Sequence, residues 1–218
     1  MKYLELIDNL MQFFSDGPYK DEAISAKDEF CRFAGVMDEM AADYEMKFNQ
    51  FADWYLFTRP LTDKGITPVR YQAQANVLKA DDSDLEYYTN LASSRHSLFL
   101  YLKTSKNDLH VKDLFSKYKL VIKDSPVLHG FEKDSPFEGR LIPLGDSFVF
   151  SNSFCFHPTE SKKYIQAQIK LVGKMHDTEQ EAGREELIMK LFQMKYKYER
   201  YRHVAITEVY NDESRVKF

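Results

Sequence analysis

The segment Phe48 to Tyr71, FNQFADWYLFTRPLTDKGITPVRY, constrains the fold more than any other stretch. It sets the only tryptophan, Trp54, among Phe48, Phe51, Tyr55 and Phe57. Large rings at three- and four-residue spacings fall on one face of a helix, so the spacing predicts a helix whose aromatic face is buried or covered by a partner. Proline disfavours the α conformation at the residue ahead of it, so this helix ends before Pro60. Thr67-Pro68 then reads as an N-cap followed by proline at the first helical position. The expected unit is a helix, a tight loop and a second helix running to about Leu78.

Helical periods flank this unit. Leu4, Ile7, Leu10, Met11 and Phe14 recur at helical spacing until Asp16-Gly17-Pro18 breaks the pattern. Ala23, Ala26, Phe30 and Phe33 predict a second helix, with Asp21 and Glu22 near its positive N-terminal end and Gly35 as a possible interruption. Met37, Met40, Ala41, Tyr44, Phe48 and Phe51 carry the same period into the tryptophan segment. Asp81, Asp82 and Ser83 offer caps for a short helix through Leu85, Tyr88 and Leu91.

From Ser97 the pattern changes. SLFLYLKTSKNDLHVKDLF reads as two strands around a polar turn at Asn107-Asp108, and KYKLVIKD as a third. GRLIPLGDSFVFSNSFCF reads as a hairpin through Leu144-Gly145-Asp146. After His157-Pro158 the helical period returns, first through Tyr164, Ile165, Gln168 and Leu171 and then from Thr178 to His203, ahead of an Arg215-Val216-Lys217-Phe218 tail. The expected class is α+β: helices over 1–94, an antiparallel sheet or small barrel over about 97–156 within a β unit at 95–157, and helices over 158–218, packed as one domain.

Composition excludes several classes. The 218 residues are enough to bury a substantial core, and 44% hydrophobic with 15% aromatic residues is far from a disordered profile. Eight glycines argue against glycine-rich phosphate-binding loops, and two distant cysteines, Cys31 and Cys155, read as reduced thiols in a cytoplasmic protein. Glu5 and Asp8 interrupt the N-terminal apolar pattern, so neither a signal peptide nor a membrane span is expected there. The net charge of −4 is uneven: residues 1–60 hold twelve acids and six bases, whereas residues 158–218 hold ten acids and twelve bases. That basic excess is small beside the patches of nucleic-acid binders.

The order Trp-Tyr-Leu-Phe (54–57), Gly-Ile-Thr-Pro-Val (65–69), Ser-Leu-Phe (97–99), Asp-Leu-Phe (113–115) and Gly-Asp (145–146) resembles a group of uncharacterised bacterial proteins, some of which carry a C-terminal zinc-binding SEC-C motif. The likeness covers roughly residues 45–160 and implies helices with a β-sheet. The cysteine-rich motif is missing from this chain, so no metal role carries over and no metal or cofactor is expected.

Four features bear on chemistry. Gly145-Asp146-Ser147-Phe148 matches the nucleophile block of the GDS-type esterases, but no aspartate has a histidine three positions later, and a hairpin turn accounts for the residues. Cys155 and His157 would face one side of a strand, where zinc would need His110 or His129 as well; a buried thiol beside a histidine accounts for the pair. Arg95-His96-Ser97 reads as a ligand-binding corner or as a polar turn. In the last helix Lys195, Lys197, Arg200 and Arg202 alternate with Tyr196, Tyr198 and Tyr201, which suits phosphate and base contacts, although an amphipathic helix with solvated lysines accounts for the pattern better in an otherwise acidic chain.

The leading expectation is a non-enzymatic cytoplasmic binding or adaptor protein, of open oligomeric state and with no membrane contact. It would take a protein partner on an aromatic groove around Trp54, Tyr55 and Arg59 or on the sheet. Nucleic-acid binding through Lys195, Lys197, Arg200 and Arg202 is the first alternative, and a hydrolase using Ser147 or the His96-Ser97 corner the second.

Overall fold

In the computed structural model, which describes residues 1–41 and 43–213 apart from the Asn152 side chain, the N-terminal apolar periods become helices. The Arg215–Phe218 tail lies outside the described residues. The chain divides into two compact units, one made of residues 1–95 with 142–146 and 151–153, the other of the remainder.

In the first unit, α1 (Lys2–Phe14) buries Tyr3, Leu6, Leu10 and Phe14, and α2 (Lys20–Ala34) buries Ala23, Ala26, Phe30 and Ala34. The Asp16 carboxylate accepts from the Gly17 amide at 2.7 Å and turns the chain between them. The period expected to run on from Met37 is broken. Gly35 sits at φ +79°, a left-handed conformation that ends α2, and Asp38 accepts from the Met40 amide at 2.9 Å in a turn that leaves Met40 91% exposed. α3 therefore starts at Tyr44 and ends at Phe57, ahead of Pro60 as the sequence requires.

α3 is the packing centre of this unit. Tyr55 is fully buried and its hydroxyl donates to the Phe14 carbonyl at 2.7 Å, tying α3 to the end of α1. Phe51 stacks on Tyr55 at 5.8 Å, and Phe30 of α2 meets Phe51 at 5.5 Å and Trp54 at 5.8 Å. Thr67 caps α4 (Pro68–Ala75) by accepting from the Arg70 amide. α4 stops short of Leu78 because Asn76 adopts the left-handed region, where its side-chain oxygen accepts from the Ala80 amide at 2.8 Å. Asp81 caps α5 (Asp82–Ala92).

The second unit holds most of the residues of an antiparallel sheet of β1 (Arg95–Ser105), β2 (Asp108–Asp113), β3 (Lys119–Ile122), β4 (Pro136–Leu144) and β5 (Ser147–Phe156), in the order β3-β2-β1-β4-β5. The sheet curls, and with helices before and after it the class is α+β. Alternation along the strands sends side chains to two faces. Phe99, Leu109, Val111, Ile122, Phe137, Leu141, Phe150 and Phe154 make an aromatic core on one face. On the other, Leu98 packs with Ile165 of α6 (Lys162–Val172), Leu187, Ile188 and Leu191 of α7 (Asp177–Arg200) and Val209 of α8 (Ile206–Val209). Among the described residues no helix is long and apolar enough to cross a membrane.

Gly139 of β4 is required by a close approach: a Cβ there would lie 3.1 Å from two carbons of the Phe150 ring. Gly139→Val is expected to destabilise the protein by about 1–3 kcal/mol through overpacking. Tyr55→Phe, which leaves the buried Phe14 carbonyl without its donor, should cost about 1–2 kcal/mol. Urea unfolding of each variant against the parent checks both values.

Candidate functional site

Three helices of the first unit leave a groove between them. Met11 and Gln12 of α1, with Ser15 just after it, form one wall, and Lys20, Ala23, Ile24 and Lys27 of α2 the other. Phe51 of α3 closes the base and Phe48 stands on the rim, around a volume of about 410 Å³. The cause is local: α2 offers alanine at positions 23 and 26 before the bulky Phe30, so its facing side is low near its start. Ile24 is 51% exposed and Phe48 37%, so apolar surface stands open on the α2 wall and at the rim.

A second depression of about 190 Å³ continues the groove along α1 through Leu4, Ile7, Asp8 and Met11 to Phe48, Ala52, Asp53 and Phe57. Asp8, Met11 and Phe48 line both. At this end polar groups join the apolar lining, with the Ser151 hydroxyl donating to the Asp53 carboxylate at 2.9 Å. From Leu4 to Ser15 the run spans roughly 16 Å at the 1.5 Å rise of an α-helix.

The three positions anticipated around the tryptophan serve the interior. Trp54 is half-buried with its ring against Phe30 and against Phe33 at 5.4 Å, and Tyr55 is closed to solvent. Arg59 clamps α2: its Nη1 lies 2.5 Å from Glu22 Oε1 and its Nε 2.8 Å from Glu29 Oε2. Glu22 also accepts from the Thr62 amide at 3.1 Å and hydroxyl at 2.9 Å. Burial pushes the Glu22 carboxyl up, but the hydrogen bonds from Arg59 and Thr62 outweigh it and hold the group below its ordinary value.

The basic C-terminal stretch is divided in the same way. Lys195 pairs with Glu199 at 2.9 Å, Lys190 with Asp212, and Tyr196 is buried edge-on to Phe192 at 4.8 Å. Lys197 is half-buried, and Arg200 and Arg202 are exposed, Arg200 over the Tyr201 ring. Tyr198 packs against the core under α7, as an amphipathic helix requires.

Ser147 opens β5 just after the Gly145-Asp146 turn of a hairpin, whereas a serine nucleophile of the esterase type needs a strand-to-helix turn. Ser97 is buried and donates to Asp113 at 3.1 Å, and His96 Nδ1 lies 3.6 Å from Glu185. Burial alone would raise the Glu185 carboxyl, but His96, with Arg140 and Arg184, keeps it low. Cys155 and His157 do share a side, with Glu138 as their neighbour in place of His110 or His129.

A profile described as a family of unknown function, DUF7986, matches residues 3–215. The chain belongs to that family. The match spans both units and says nothing of a SEC-C motif. No curated protein and no solved structure matches this DUF7986 member. The groove escaped the sequence reading, although its signal is present: Ile24 lies off the buried Ala23-Ala26-Phe30 stripe, between two lysines one turn away on either side.

Because the folded Glu22 carboxyl titrates below its unfolded value of about 4.3, its contribution to stability is complete above that pH and disappears as pH falls through the folded value. Glu22→Gln should therefore flatten the loss of stability between about pH 5 and pH 3, measured as urea midpoints across that range.

Proposed function

We propose that this protein is a non-enzymatic cytoplasmic binding or adaptor protein, and that the groove of α1, α2 and α3 receives one amphipathic helix of a partner protein. The observation that carries the reading is the groove itself: apolar walls at Met11, Ile24 and Phe48, open to solvent, on a scaffold fixed by the buried rings of α3. A run of roughly 16 Å accommodates anchors at i, i+4 and i+7 of a docked helix. Lys20 and Lys27 stand on the α2 wall, so acidic residues on the flank of the incoming helix would complement them and set its direction.

A protein partner is favoured over nucleic acid because the basic helix uses its own chain. Lys195 and Lys190 face Glu199 and Asp212, and Tyr196 is buried, which leaves fewer phosphate contacts and stacking rings on offer. Helix docking needs no acid–base set, in keeping with a binding role.

Selection of helical peptides on the intact chain should converge on apolar residues at i, i+4 and i+7 with acids along one flank. Replacing the rim aromatic by Phe48→Asp is expected to weaken the selected peptide by about 2 kcal/mol, roughly 30-fold. Phe148→Asp, at an exposed aromatic of β5 outside the groove, should leave binding unchanged. Failure to converge, or equal binding by the Phe48→Asp variant, contradicts the proposal.

A further inference from the structure

We infer that Glu138, Cys155 and His157 form a structural site for one zinc-type divalent ion inside the second unit. The three residues meet because of strand register. The His157 amide donates to the Pro136 carbonyl at 2.9 Å, a pairing of β4 with the end of β5 that sets Glu138 across from Cys155. Alternation places Phe137, Gly139 and Leu141 towards the aromatic core with Phe150 and Phe154, which turns Glu138, Cys155 and His157 together to the opposite side. One carboxylate oxygen, one thiol sulfur and one imidazole nitrogen then lie within 4.8 Å of one another, and no other such group of three occurs among the described residues.

The donor set matches the ion. Thiolate, imidazole and carboxylate are the side-chain ligands zinc takes, and Glu138 can supply two oxygens to complete four donors. A dication with one thiolate and one carboxylate gives no net charge, which suits residues only 2–3% exposed. His157 has the support a metal-bound histidine needs: Nε2 points at Glu138, 2.8 Å away, and Nδ1 lies 3.0 Å from the Tyr210 hydroxyl. With Nε2 on the ion, Nδ1–H would donate to the Tyr210 oxygen and hold the ring in place.

The thiol explains why these groups are poorly suited to catalysis and well suited to an ion. Cys155 is buried and both histidine nitrogens are engaged by other residues, so no free base is left to activate the thiol. A dication reverses this. The Cys155 S–H bond breaks, the sulfur electron pair binds the ion, and the proton leaves to solvent. Of the charged groups that act on the sulfur, Glu138 and Glu199 favour a cation there, and Lys195, which opposes one, is paired with Glu199 at 2.9 Å. Ligands from β4, β5 and the residue just after β5 would be locked as the unit folds, so ion binding would add to folding stability.

Refolding the full-length chain in cobalt(II) tests this directly. Cys31→Ser removes the half-buried thiol and leaves Cys155 as the only cysteine, so a thiolate-to-cobalt charge-transfer band in that variant can come from Cys155 alone. The expected result is that band at one cobalt per chain, displacement by one equivalent of zinc, an affinity that rises about tenfold per pH unit while the thiol deprotonates, and loss of the band in Cys31→Ser with Glu138→Gln. A refolded Cys31→Ser chain with no near-ultraviolet band and no retained metal overturns the inference. So does a band that survives the added Cys155→Ser change.

Discussion

The buried face of α3 is the constraint on which the first unit rests. The Tyr55 hydroxyl, held in the interior, must find an acceptor, and the Phe14 carbonyl at the end of α1 is that acceptor. Phe51, stacked on Tyr55, and Trp54 meet Phe30 of α2. Three helices are thereby fixed at once, and the remaining aromatic of the series, Phe48, is left on the rim. The groove follows from this division: rings at 51, 54 and 55 satisfy the interior, and the small Ala23 opposite them leaves space above. Arg59 reinforces the same arrangement from the end of α3 by clamping Glu22 and Glu29 of α2.

The second unit depends on strand alternation carried through β4, whose residues 136–141 are buried on both faces. A strand covered on both sides is usually apolar throughout, yet β4 carries Glu138 and Arg140. Buried charges persist only with partners. Glu138 has His157, which in turn has Tyr210. These polar groups are confined to the helix-covered face, while Phe137, Phe150 and Phe154 build a dry aromatic face on the other.

What the sequence made legible was what local rules decide. Pro60 ending α3, Thr67-Pro68 starting α4, Asp81 capping α5 and the Gly145-Asp146 hairpin each depend on a few adjacent residues, and all appear where expected. The period from Met37 to Ala41 misled because Gly35 and the Asp38 turn override a pattern that hydrophobicity alone continues. The candidate sites were harder to see because they depend on long-range pairing. Nothing adjacent to Cys155 reveals that Glu138 lies opposite, and nothing near Trp54 reveals that Phe30 and Phe33 cover it. An exposed Ile24 between Lys20 and Lys27 was the one local hint of the groove.

Helix docking in this groove is the central claim, and photo-crosslinking tests it most directly. A benzophenone amino acid placed at position 48 of the intact protein in cells, with the joined segment mapped by mass spectrometry, reports what lies on the rim. The account predicts a crosslink to an acid-flanked amphipathic helix of another protein, and no such product from the same group at position 148. Crosslinking to nucleic acid, to a second copy of this chain, or to nothing at position 48 would contradict it.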